Sequence, residues 1–167
     1  KILLPKDYIR YRLSGTYAAE VSDASGTSLL DVKKRSWSSD MLSATGVPAS
    51  WMADLSESPD ITSHLSAEAA ALTGLPQGLP IAGGGGDQAA QAVGCGIVEE
   101  GLISATFGTS GVVFAHSRQY RVEPQGKLHA FCAAVPGQWH LMGVMLSAAG
   151  SLQWFRDTLG HEEVAKA

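Results

Sequence analysis

The chain has 167 residues, 45% of them hydrophobic, which is enough to bury a core and too apolar for a disordered segment. Sixteen acidic against twelve basic side chains give a net charge of −4, so no basic stripe is available to neutralise a nucleic-acid backbone, and no apolar run approaches the roughly 18 residues that span a bilayer. Only 17% of the residues are charged, against about 25% on average, while the 19 glycines exceed the usual share of about 7% and mark a chain rich in tight turns.

Lys1-Ile2-Leu3-Leu4 meets Pro5, Lys6 and Asp7 too soon to form the apolar stretch of a signal peptide, so a cytoplasmic location is expected. Position 1 is Lys rather than Met, and His161 to Ala167 are still helix-forming, so a piece of something longer is expected. Pro5 suits the first turn of a helix that continues through Tyr8, Ile9 and Leu13 and stops at Ser14-Gly15. Residues 21–28 read as a loop and residues 29–32 as a strand. A helix over 38–45, capped by Ser38 or Ser39 and closed by Gly46, precedes a proline-broken connection over 47–59. Ser66 and Gly74 bracket an alanine-rich helix.

From Leu79 the pattern changes. Residues 79–82 form a short strand that runs into Gly83-Gly84-Gly85-Gly86-Asp87-Gln88, followed by a helix of small residues over 89–94. Two β-rich runs, 102–107 and 112–116, flank Gly108-Thr109-Ser110-Gly111 and predict a hairpin. Strands over 128–135 and 139–144 enclose Pro136-Gly137, and Ser147 is the expected cap of a last helix through Phe155. The coarse boundary between two domains falls near Glu99-Glu100-Gly101.

Four successive glycines exceed what a turn requires, and they deliver Asp87 to a helix N-terminus, where the dipole favours an ionised carboxylate. Such a group can take the proton of a substrate hydroxyl as its oxygen attacks an electrophile, although an Asp serving only as N-cap is the plainer alternative. Gln88 can hydrogen-bond further hydroxyls or simply be solvated. The spacing Gly84-x-Gly86-x-x-Ala89 satisfies a loose dinucleotide fingerprint, but a carboxylate occupies the slot facing the pyrophosphate, so a nicotinamide enzyme is the weaker reading. Gly108 to Gly111 offers amides and two hydroxyls as a phosphate cradle, without a Walker lysine. Cys95 and Cys132 stand 37 residues apart without a CxxC and read as reduced, mostly buried thiols. The five histidines fit no zinc spacing: His64 and His161 lie in polar stretches, whereas His116, His129 and His140 sit on strand candidates and should pack or hydrogen-bond. Trp139 and Trp154 read as core or interdomain packing residues before ligand stacking.

Residues 3–10, 20–27, 83–90, 107–116, 128–132 and 135–154, taken in order, make the chain resemble the FGGY group of carbohydrate kinases, and within it the xylulose kinases. The resemblance implies an α/β chain, part of a two-domain actin-like and hexokinase-like (ribonuclease H-like) ATPase fold. Residues 1–100 would end the first, sugar-binding domain and residues 101–167 would open the second, nucleotide-binding one. It assigns Asp87 as catalytic base and substrate contact, Gln88 as a substrate-contacting amide, and Gly108, Thr109, Ser110 and Gly111 as the loop facing the ATP phosphates. Gln153 falls where relatives contact the nucleotide. The implied reaction moves the γ-phosphoryl group of ATP, with Mg²⁺, to the 5-hydroxyl of D-xylulose. Expected partners are D-xylulose and ATP, with a homodimer of the full-length enzyme. The family's first phosphate hairpin and its adenosine motif have no counterpart in this chain, so no turnover is expected of it alone. Two other readings stay open: a kinase for ribulose, gluconate or glycerol, and a catalytically silent module with apolar surface exposed where further sheet would pack.

Overall fold

A computed structural model describes residues 1–160, so the helix-forming stretch expected at residues 161–167, with His161, lies outside the described residues. Helix α1 (Pro5–Ser14) starts on its proline and ends where Gly15, at φ 74°, donates its N–H to Tyr11 O at 2.7 Å. The helix turns a charged pair inward, burying Asp7 and Arg10, while Tyr8 and Ile9 remain exposed. Strand β1 (Ala18–Glu20) follows, and then, where a loop was expected, helix α2 (Val21–Ala24) and a 3₁₀ turn over Ser25–Thr27. The cause is local: the Glu20 carboxylate accepts the N–H groups of Ser22 and Asp23 at 2.8 Å each and so nucleates the turn.

Strands β2 (Leu30–Asp31) and β3 (Ser36–Trp37) form a small hairpin, and α3 (Ser39–Thr45) is capped by Ser38 and closed by Gly46 as expected. The stretch expected as mere connection contains a 3₁₀ turn over Ala49–Trp51 and strand β4 (Asp54–Ser56), which pairs parallel to β1 with Ala19 opposite Leu55. Strand β5 (Ile61–His64), unforeseen in the sequence, pairs with β6 (Pro80–Ala82) across α4 (Ala67–Thr73), whose Ser66 cap and Gly74 stop were legible. Helix α5 (Asp87–Gly94) comes directly after the glycine turn.

The remaining elements are β7 (Ile103–Phe107), β8 (Gly111–Ser117), β9 (His129–Cys132), β10 (Trp139–Met145) and α6 (Ala149–Leu159). The four strands make one antiparallel sheet in the order β7-β8-β10-β9, with Phe107 opposite Gly111 at the predicted hairpin. The expected Ser147 cap of α6 is not made. Instead the Thr109 and Gly108 carbonyls take the N–H groups of Ala148 (2.8 Å) and Ala149 (3.1 Å), so the hairpin tip itself closes the helix end.

The main apolar cluster joins the two halves of the chain. Val21, Ala24 and Leu30 pack with Cys132, and Val32, Trp37, Leu55 and Trp139 surround them, each fully buried large aliphatic contributing about 1.5–3 kcal/mol. Cys132 N–H donates to Ser25 Oγ at 3.0 Å and Trp139 Nε1 to Val32 O at 2.9 Å. Cys95 is a correction: it sits at the C-terminal cap of α5 and is exposed. Trp154 is 62% exposed on a helix with no buried residue, so it takes no part in the core of the described residues. Large apolar side chains are exposed at Phe107 (77%), Leu146 (87%) and Leu152. Among the described residues, no helix is long and apolar enough to cross a membrane.

Candidate active site

The glycine turn is fixed by its surroundings. A Cβ on Gly83 would lie 2.7 Å from Glu57 O, closer than any side chain tolerates, and Gly84 adopts φ 78°, the left-handed region that favours glycine. Gly83 N–H donates to Asp60 O (2.8 Å), Gly84 N–H to Ser58 O (3.0 Å) and Gly86 N–H to Ser22 Oγ (3.0 Å). Arg10 donates to the Gly83 carbonyl from below. The same Arg10 meets Asp7 Oδ1 at 3.1 Å, and Lys6 Nζ stands 3.1 Å from Asp7, 3.5 Å from Glu20 and 3.7 Å from Asp23. The charges beneath the turn are therefore paired, as buried charges must be.

Asp87 occupies the first position of α5, and the N-cap is Gly86, so the plain N-cap alternative does not hold. Its Oδ1 accepts the Gln88 N–H at 2.8 Å, and its Oδ2 has no hydrogen bond among the described residues. The side chain is exposed on a cleft of about 220 Å³, which Gln88 also lines. Ser22, Asp23, Phe131, His140 and Met142 are among the other residues that line it. No local pattern in the sequence singles out these five; they lie 44 or more positions from Asp87, within segments that only the resemblance marks.

Burial, ahead of the opposing pull of Lys6 and the added repulsion of Glu20 and Asp7, raises the Asp23 carboxyl above its ordinary range. His140 is 2% exposed, stacked on Phe114 at 4.2 Å and edge-on to Phe131 at 5.7 Å. Burial first, and then the neighbouring His116, pushes its imidazole down to about 4, so it is neutral near pH 7; the Cys132 backbone favours the proton weakly without meeting hydrogen-bond geometry at either ring nitrogen. His116 instead shares 2.7 Å with Gln138 Oε1, and His129 and His64 are exposed on their strands.

The second group of expected residues stands apart from this cleft. Gly108 N–H is held inside the turn by Ser110 O at 2.8 Å, so it is not among the unpartnered amides of the tip. The amides and hydroxyls of Thr109 and Ser110 have no partner among the described residues, and both residues are exposed, so two amides and two hydroxyls remain available at the tip. Gly111 is buried as the first residue of β8. Gln153 is exposed on the second turn of α6 and lines none of the cleft beside Asp87. The two groups are linked by Gln91, one helical turn beyond Asp87, whose Nε2 lies 3.5 Å from Thr106 Oγ1 just before the hairpin tip. Among the described residues no three His, Cys, Asp or Glu side chains converge on a metal position.

Residues 1–94 match the family model described as the N-terminal domain of the FGGY family of carbohydrate kinases. The chain belongs to this family. Among curated FGGY relatives, the xylulose kinase of Klebsiella pneumoniae is 47% identical over 154 residues, covering 92% of this chain and 32% of that protein. The xylulose kinase of Escherichia coli K12 is 46% identical over 98% of this chain and 34% of its own length. The crystal structure of a xyloylose kinase from Brucella ovis superposes with a TM-score of 0.91 at 45% identity, over 96% of this chain and 33% of that one. A xylulose kinase structure from Rhodospirillum rubrum gives 0.86 at 29% identity, over 95% and 32%. This FGGY chain thus spans about a third of the length of the relatives it matches, and it carries part of the actin-like ATPase fold.

Proposed function

We propose that this chain supplies the catalytic base and part of the phosphate-binding surface of a sugar kinase that converts D-xylulose and ATP to D-xylulose 5-phosphate and ADP. The observation that carries the reading is Asp87: an exposed carboxylate on the cleft, one oxygen unpartnered among the described residues, at the end of a turn whose backbone is held at Gly83, Gly84 and Gly86. The identity to xylulose kinases supports the choice of sugar.

As the 5-hydroxyl oxygen bonds to the γ-phosphorus and the bond to the ADP oxygen breaks, Asp87 Oδ2 takes the hydroxyl proton. Gln88 orients neighbouring hydroxyls from the same cleft. The free amides and hydroxyls of Thr109 and Ser110 receive phosphate oxygens, with Gln153 on α6 contacting the nucleotide, and spread the transferred charge without reorganising. Mg²⁺ travels with ATP and needs only one or two protein carboxylates, which the rest of the kinase would provide. Residues 1–100 act in the sugar-binding domain and residues 101–167 in the nucleotide-binding one, so that closure of the cleft excludes water.

The test is sugar-dependent ADP release by the full-length kinase carrying this segment, with D-xylulose set against L-ribulose, gluconate and glycerol. Preference for D-xylulose is expected. Preference for another polyol keeps Asp87 and changes the sugar, and sugar-independent behaviour with all four overturns the kinase reading in favour of a silent module.

A further inference from the structure

Ser22 lines the cleft beside Asp87, yet its hydroxyl is already committed to the protein. It accepts the Gly86 N–H at 3.0 Å and donates to Glu20 Oε1 at 2.8 Å. Behind it, the Glu20 carboxylate is 0% exposed and also accepts from Ser22 N–H (2.8 Å), Asp23 N–H (2.8 Å) and Ser58 Oγ (3.0 Å), with Lys6 Nζ 3.5 Å away. A hydroxyl that donates to a carboxylate is polarised, which makes its oxygen a better acceptor for the Gly86 amide.

The Gly86 N–H belongs to the Gly85–Gly86 peptide, one plane before the Gly86–Asp87 peptide that opens α5. Upstream, the turn is pinned by the carbonyls of Asp60 and Ser58; downstream, the Gly86 carbonyl receives Ala90 N–H at 2.9 Å and enters the helix ladder. Gly84 and Gly85 lie between the Asp60 anchor and the helix ladder, and without a Cβ they leave the backbone there freer than other residues would. Ser22 is the side chain that holds the peptide at this point, from 64 positions away.

We propose that Ser22 is a positioning residue for Asp87: its hydroxyl, backed by the buried Glu20 carboxylate, fixes the Gly85–Gly86 peptide one plane before Asp87 and thereby the direction in which the Asp87 carboxylate meets a substrate hydroxyl. The proposal rests on the reading of Asp87 as general base and assigns Ser22 no contact with the sugar. Its consequence is that Ser22 affects turnover only through Asp87.

The experiment is a double-mutant cycle in the full-length kinase, with Ser22→Ala, Asp87→Asn and the pair, reading kcat and the KM for ATP on folded enzyme. Ser22→Ala is expected to lower kcat about 10- to 100-fold, the scale of a misplaced catalytic group, at unchanged KM for ATP. In the Asp87→Asn background the same change is expected to cost nothing further. Ser22→Cys, similar in size but a poor acceptor, provides the measurement if the alanine variant does not fold. A parental kcat in the folded Ser22 variant, or an equal loss in both backgrounds, overturns the proposal. If Asp87→Asn keeps parental turnover, the general-base reading itself fails; if Asp87→Asn is inactive and the Ser22 variant is not slowed, only the positioning role fails.

Discussion

Arg35 and Gln138 lie 103 positions apart, and Arg35 Nη1 donates to the Gln138 carbonyl at 3.0 Å. The same guanidinium grips Glu57 through Nε and Nη2 at 2.6 Å each and lies 5.4 Å from the Trp139 ring, so one side chain ties the β2–β3 turn and β4 to the β9–β10 turn. Arg35 holds φ 55° at the end of the β2–β3 turn. Arg35→Lys keeps the charge and loses the fork. A loss of about 1–3 kcal/mol is expected in urea unfolding of the full-length kinase, and a cycle with Glu57→Gln should show strong coupling. An unchanged midpoint would remove the strap from the account.

Asp87→Ala in the full-length kinase should lose roughly 10²- to 10⁴-fold in kcat, the usual contribution of a positioned base, while nucleotide binding is expected to be retained, since the proposed nucleotide contacts Thr109, Ser110 and Gln153 lie outside its cleft. Turnover by sugar-phosphate formation and ADP affinity by equilibrium titration separate the two. Turnover at the parental rate would exclude Asp87 as base.

Capping chemistry made much of the fold legible: Pro5 with Gly15, Ser38 with Gly46 and Ser66 with Gly74 mark three helices at their observed ends. The Phe107–Gly111 hairpin was equally plain, because it needs only neighbours in sequence. What escaped depends on distant partners. Strands β1 and β4 are three residues each, too short for a period, and exist because they pair with one another. Helix α2 is capped by a glutamate, a residue seldom found as a cap, and α6 is closed by hairpin carbonyls instead of Ser147. The site divides in the same way. Asp87 announced itself through its glycines, whereas Ser22, Asp23 and His140 reach the cleft only through tertiary packing.

Gly83 tests the steric part of the turn. Adding a Cβ 2.7 Å from the Glu57 carbonyl oxygen forces backbone against backbone, and Arg10 and Asp60 hold the same residue from either side. Gly83→Ala is expected to cost about 1–3 kcal/mol by overpacking and to lower kcat by shifting Asp87. Gly15→Ala, with nothing within 4 Å of the added Cβ but a φ of 74°, serves as the control that strains the backbone far from the cleft. Its stability should fall while kcat holds.

The buried His140 sets a pH dependence whose sign follows from proton binding. Its folded-state value near 4 lies below the ordinary 6.5, so between those values the unfolded chain binds a proton that the native protein does not. Stability from this group is therefore complete above about pH 6.5, declines as pH falls through that range, and is lost by about pH 4; its full extent is of order 3 kcal/mol. Burial is the main cause, with His116 second, so removing the imidazole should remove the dependence. His140→Phe keeps an aromatic ring on Phe114 and cannot titrate. Urea unfolding at pH 7 and pH 5 is expected to show a smaller loss for the variant than for the parent, and equal losses would exclude His140 as the titrating group.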